Sequence, residues 1–173
     1  MLYVVDSVSG VTYLDNIMYV VCDRSSTIRL YNMDTYSPLD VVISVVGMND
    51  PSDIVVCRED HQLYIANDWD CIWRVSVGDH SYVKWLTRQS TRDTFTRLSV
   101  TSRRLLVTSL SRRLLHYDVT DRQLLRVVDL SEHVNNVYHA VETTRGTFVV
   151  GHHGTLHNKD QDAVSELFSL CHH

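Results

Sequence analysis

His152, His153 and His157 lie close together, and His172 and His173 end the chain. Zinc needs three or four nitrogen or thiolate ligands converging at about 2 Å, each oriented by a further hydrogen bond. The stretch Gly151-His-His-Gly-Thr-Leu-His reads as a glycine-flanked polar loop, too loosely held to preform that geometry, and no cysteine follows before Cys171. Asp68 and Asp70 bracket Trp69, without the oxygen-rich loop of a dedicated calcium site. The chain has no Gly-x-Ser-x-Gly elbow for acyl transfer, and its six glycines form no phosphate-cradling loop. These residues predict no metal, no cofactor, no small-molecule substrate and no catalysis.

What positions such residues is a chain of 173 amino acids, 44% apolar, enough for one sizeable core. No apolar run approaches ~18 residues, so no membrane span is expected. The start, Met1-Leu-Tyr-Val-Val-Asp, lacks the basic leader and the apolar stretch of ~7–15 residues that mark a secretory signal. Four cysteines (Cys22, Cys57, Cys71, Cys171) without Cys-x-x-Cys spacing are expected as reduced, mostly buried thiols of a cytoplasmic protein. The formal charge of −5 argues against a broadly basic nucleic-acid binder. The charge is uneven, however. Residues 1–83 carry four arginines against twelve acids, residues 84–126 ten basic groups against three acids, and residues 127–173 two against six. A basic island sits between acidic flanks.

Composition favours strands: 26 valines, nine tyrosines and three tryptophans. Met18-YVVCD, Leu63-YIAND, Leu105-LVTSL and Thr147-FVVGH start 45, 42 and 42 residues apart. Downstream come Ile28-RLYN, Ile72-WRVS and Leu114-LHYD, then a polar tip, then Leu39-DVVISVV, Tyr82-VKWL and Leu124-LRVVDL. Upstream of each start sits Gly10-VTY, Asp53-IVVC, Arg97-LSVT or Tyr138-HAVE. Four short strands recurring every ~40–45 residues are the arithmetic of a β-propeller blade. The expectation is an all-β propeller of about four four-stranded antiparallel blades, at roughly 8–46, 52–87, 96–130 and 137–170, in one domain or propeller fragment. Leu2-YVV reads as an extra strand and Val164-SELF as the last. The expected arrangement is a partial ring; the alternative is a closed four-bladed ring completed by Leu2-YVV.

The second period, Asp50-PSDIVVCREDHQLYIANDWDCIWRVSV, resembles the NHL repeat through Pro51, Ile54, Val55, Leu63, Tyr64, Ile65, Ala66, Asp68, Ile72 and Val75. The other periods follow it more loosely. The resemblance implies a propeller that selects a protein partner or, in some members, binds RNA. In animal tripartite-motif ubiquitin ligases such a propeller chooses substrate or RNA. No RING-type Cys/His spacing occurs in this chain.

In a propeller, the loops between second and third strands and between blades crowd one face, where partners dock. That face is expected to carry Asp23 and Arg24, then Asp68, Trp69 and Asp70, then Arg112 and Arg113, with Asn49, Asp50, Arg92, Asp93, Asn135 and Asn136 from the blade-to-blade loops. The partner-binding set is Trp69, Asp68, Asp70, Arg112, Arg113 and Arg92, with Trp69 as the aromatic anchor. The leading reading is a non-enzymatic scaffold that binds a protein. The first alternative is single-stranded RNA binding through the arginines of the third blade, although Arg103, Arg104 and Arg122 fall at the opposite end. The second is a metal-dependent hydrolase or lyase, as in propeller lactonases, with Asp53, Arg97, His139 and Glu142 approaching a central channel.

Overall fold

The computed structural model describes residues 7–67, 70–155 and 166–168. Leu2-YVV, Asp68, Trp69, His157, Cys171, His172 and His173 lie outside them. The strands come in consecutive antiparallel meanders. Blade one is β1 (Val8–Leu14), β2 (Ile17–Cys22), β3 (Thr27–Asn32) and β4 (Pro38–Ser44). Blade two is β5 (Pro51–Cys57), β6 (Gln62–Asn67), β7 (Cys71–Ser76) and β8 (Tyr82–Thr87). A single helical turn, α1 (Arg88–Thr91), leads into blade three: β9 (Phe95–Thr101), β10 (Arg104–Ser109), β11 (Arg113–Asp118) and β12 (Leu124–Asp129). Blade four pairs β13 (Val134–Glu142), β14 (Phe148–Thr155) and β15 (Glu166–Phe168). The chain divides into two compact units, residues 1–87 and 88–173. Among the described residues no helix is long and apolar enough to cross a membrane.

Most strands fall within a residue or two of their predicted places, but β13 begins at Val134, four residues before the predicted Tyr138. The region after Gly151 differs. His152 and His153, expected in a polar loop, continue β14, paired with Val137 and Asn136 across a bulge in β13. Pairing gives their backbone groups ladder partners, which a loop would have to find elsewhere. His152 is buried. The sequence also held no signal for α1.

With few glycines, the hairpins turn on side-chain-bearing residues in the left-handed region: Asp15, Tyr36, His61, His80, Arg103 and Arg122 have φ between 51° and 63°. That conformation is costly for an L-residue, and neighbouring side chains offset it by mimicking a backbone turn. Asn32 Oδ1 accepts from the Asp34 and Thr35 amides at 2.9 and 3.0 Å. Asp79 Oδ1 accepts from the Ser81 amide and hydroxyl at 3.1 and 2.8 Å. A hydrogen bond from the Ser76 side chain, with these two from Ser81, holds the exposed Asp79 carboxyl down at about 2.

In the first unit the core lies between blades one and two, where Tyr19, Val21, Ile28 and Ile43 meet Ile54, Leu63, Ile65 and Trp73. In the second, Leu106, Leu114 and Val128 of blade three meet Val137, Ala140, Phe148 and Val150 of blade four. Alternate residues of each strand supply these faces, as the pleat requires. Cys22, Cys57 and Cys71 are buried and not joined in disulfides. Burial pushes the Cys57 thiol up, away from the reactive thiolate.

Candidate interaction face

At one end of the first unit the chain enters β3, β5 and β7, and a buried amide holds the loops. Asn67, the last residue of β6, is 3% exposed. Its Oδ1 accepts from the Asn49 and Asp50 amides at 3.0 and 3.1 Å, and its Nδ2 donates to Asn49 Oδ1 at 2.9 Å. Asp50 Oδ1 in turn accepts from the Arg24 amide at 3.3 Å. Asp23, Arg24, Asn49, Asp50 and Asp70 remain exposed around this latch. The backbone is fixed while the charged groups stay in water.

The second unit repeats the device with a carboxylate. Asp93, 4% exposed, comes from the loop before β9. Its Oδ1 accepts from Ser109 Oγ at 3.3 Å, Ser111 Oγ at 2.9 Å and one guanidinium nitrogen of Arg113 at 3.1 Å. The same nitrogen reaches Oδ2 at 3.1 Å. Arg92, beside Asp93, is exposed at φ 62°, and Arg112, between the two latch residues Ser111 and Arg113, is half-buried at φ 60°.

Of the predicted partner-binding set, Asp70 and Arg92 are exposed loop residues and Arg112 is half-exposed. Arg92 and Arg112 belong to the same end of blade three. Arg113 is not a loop residue: it opens β11, and its guanidinium is committed to Asp93. Asp68 and Trp69 lie outside the described residues. Sequence reading missed Asn67 in the first unit, and Ser109 and Asp93 in the second, as the groups that hold the loops of each. For Asn67 and Ser109 the signal was a polar residue ending an otherwise apolar second strand, 42 residues apart; Asp93, on a loop, gave none.

The opposite end of the second unit carries a cleft of about 350 Å³ lined by Thr101, Ser102, Arg104, Glu142, Thr143 and Thr144 among others. Glu142, expected to approach a central channel, instead sits between blades three and four. Its Oε2 is 3.4 Å from His116 Nε2 and its Oε1 3.8 Å from Arg104. Asp53, from the same channel set, accepts its neighbour's amide, Ile54 N, at 2.9 Å. His116 packs edge-on to Phe148, whose ring also carries the Arg126 guanidinium. Burial holds the His116 imidazole below its ordinary 6.5; Glu142 pulls it up, and Arg104 and Arg126 push it down. The imidazole is therefore neutral at pH 7.

A base with a depressed folded pKa stabilises the fold above its unfolded value and loses that contribution as pH falls below it. The urea midpoint should therefore drop between pH 7 and 5, and drop less in His116→Gln. Equal pH slopes for the two proteins would remove His116 as the cause.

No protein-family model and no curated protein matches the sequence. Solved structures do match. The β-propeller domain of Cps50 (Swd1) from Myceliophteria thermophila aligns with a TM-score of 0.64 at 12% identity, over 84% of this chain and 49% of that one. The computationally designed Ika4 protein aligns at 0.66 and 14%, over 95% of this chain and 91% of that one. Hydrazine synthase from Kuenenia stuttgartiensis aligns at 0.63 and 16%, over 84% and 43%. The chain thus spans about half the length of the first and third. At these identities the likeness concerns fold alone, and with the four meanders it establishes that the chain is an all-β protein with the β-propeller fold.

Proposed function

We propose that the chain is a non-enzymatic, NHL-type propeller scaffold that presents its latched loops to a protein partner in the cytoplasm. The observation that carries this reading is the pair of buried latches, Asn67 and Asp93, which immobilise loop backbone while leaving Asp23, Arg24, Asp50, Asp70 and Arg92 exposed. Ordering the loops beforehand removes entropy that binding would otherwise cost. Charged groups of both signs suit a partner chosen by complementarity. Trp69, between two acids, remains the proposed aromatic anchor, with Arg112 at the edge of the basic patch. Arg113 acts on the patch only through Asp93.

A photo-crosslinking residue placed at Asp70 or at Arg92 should form protein adducts in cells, whereas the same residue at Tyr36 or Arg122, at the other ends of the strands, should not. Equal adducts at all four positions would overturn the reading. Ribonucleotide adducts at Arg92 in place of peptide would move it to RNA binding.

A further inference from the structure

The two units fill corresponding places with opposite chemistry, and we propose that the cleft between blades three and four binds a small zwitterion of the α-amino-acid class. Residues directly opposite in an antiparallel register share a face, so the hairpins of the two units correspond strand for strand. In blade one Leu14 pairs with Ile17 and Leu30 with Tyr19; in blade three Thr101 pairs with Arg104 and His116 with Leu106. In blade two Val56 pairs with Leu63; in blade four Glu142 pairs with Phe148. The first unit sets Leu14 and Leu30 into its core and packs Ile17 and Val56 against it. At the matching places the second unit has Thr101, His116, Arg104 and Glu142. Hydrocarbon at these four positions suffices to join two blades. Polar groups there cost desolvation that packing does not require, and such departures collect at functional sites.

The polar set is also incompletely satisfied. The Glu142 side chain is 8% exposed, yet Arg104 Nη1 stands 3.8 Å from its Oε1, beyond hydrogen-bond reach. His116 Nε2, 3.4 Å from Oε2, is buried and makes no hydrogen bond. Ser99 Oγ, in the same row as His116, is another buried polar atom without one. A buried carboxylate and an exposed guanidinium thus stand side by side, unbonded, at a cleft of about 350 Å³ that Thr101, Ser102 and Thr144 edge with hydroxyls. That juxtaposition selects the ligand. An anion alone would meet Glu142, and a cation alone would meet Arg104. A neutral polyol would leave the buried carboxylate without a counter-charge. A molecule with an ammonium and a carboxylate on one carbon carries opposite charges at a similar spacing. Its ammonium can donate to Glu142 while Arg104 donates to its carboxylate, the geometry in which such hydrogen bonds are strongest. The cleft lies at the end of the strands opposite the latched loops, so the inference does not rest on the protein-partner reading.

Isothermal titration of the purified chain with each of the standard free amino acids should detect binding of at least one. Acetate, methylammonium and glycerol at the same concentrations should not bind. Arg104→Gln and, separately, Glu142→Gln should each weaken the binding by about tenfold or more. A second variant, His116→Leu with Glu142→Val, gives these two places the residues of the first unit. It should keep the strand content by circular dichroism, with a urea midpoint no lower than the parent's, and bind no amino acid. Failure of every amino acid to bind the parent chain would overturn the proposal. So would acetate or glycerol binding as tightly as the best amino acid, or amino-acid binding that survives the His116→Leu, Glu142→Val exchange.

Discussion

Gly10→Val is expected to lower stability by about 3 kcal/mol, at the upper end of what forcing extra atoms into a packed interior costs. Gly10 lies at an irregularity of β1 opposite Val21, where β1 packs closely on β5. A Cβ at Gly10 would stand 2.8 Å from Ile54 N, 3.0 Å from Ile54 Cγ2 and 3.1 Å from the Asp53 carbonyl carbon. Two of those atoms are backbone, so no rotamer change relieves the contact. Blade one would have to retreat from blade two and loosen the core around Tyr19, Ile54 and Ile65. For a chain of this length that loss corresponds to a melting temperature roughly 6–12 °C lower. Gly78, with nothing within 4 Å of an added Cβ, is the control; Gly78→Val should stay within about 0.5 kcal/mol of the parent. Equal melting temperatures for the two variants would show that the blades do not approach as closely as Gly10 requires.

The same glycine shows how far the sequence could be read. Its place in a strand was legible, because Gly10-VTY stands where Asp53-IVVC and Arg97-LSVT stand in the next periods. The need for a missing side chain was not, because that need comes from β5, more than forty residues on. The fold is legible for a general reason: each blade is a meander of neighbours in sequence, so its strand pairs are local and its period shows in apolar runs and turn residues. What those signals do not carry is which polar residue near a strand end will turn inward. Glu142 read as a channel residue and packs beside His116 between blades. His152 and His153 read as a loop because glycines flank them, and a bulge in β13 lets the pairing run on past both.

The candidate site was half legible on the same grounds. Strand order placed Asp70, Arg92 and Arg112 at loop ends, as found. It also placed Arg113 there, since the sequence holds no sign that Asp93 is buried and waiting for a cation. Blades two and three solve one problem with opposite chemistry. Asn67, on a strand, accepts the backbone amides of the loop and donates to Asn49; Asp93, on a loop, can only accept, so the strand side must supply Ser109, Ser111 and Arg113 as donors. Arg113 was the donor mistaken for a contact.

Asp93→Ala should therefore be among the most damaging substitutions at the candidate face. It removes the acceptor of a charged hydrogen bond, worth about 1.5–3 kcal/mol, and leaves two hydroxyls and a guanidinium without it. Arg113 is 36% exposed, so water recovers part of its solvation, and the loss should fall short of the ~3–5 kcal/mol of a fully buried broken pair. We expect about 2–3 kcal/mol in urea unfolding. Asp93→Asn retains one carbonyl oxygen for the serines and should lose about half as much. Arg113→Met should cost at least as much as Asp93→Ala, because it leaves a carboxylate only 4% exposed without its counter-charge, and a double-mutant cycle should return about 1–2 kcal/mol of coupling. Zero coupling would mean that the 3.1 Å contacts contribute nothing and Arg113 is free to meet a partner directly. If coupling is present, Arg112 is held from both sides, by Ser111 and by Arg113, and Arg92 is held by the carboxylate next to it. Asp93→Asn should then lower the crosslinking yield at Arg92 while leaving that at Asp70, in the other unit, unchanged. That difference separates a latch that positions the face from one that only supports the blade.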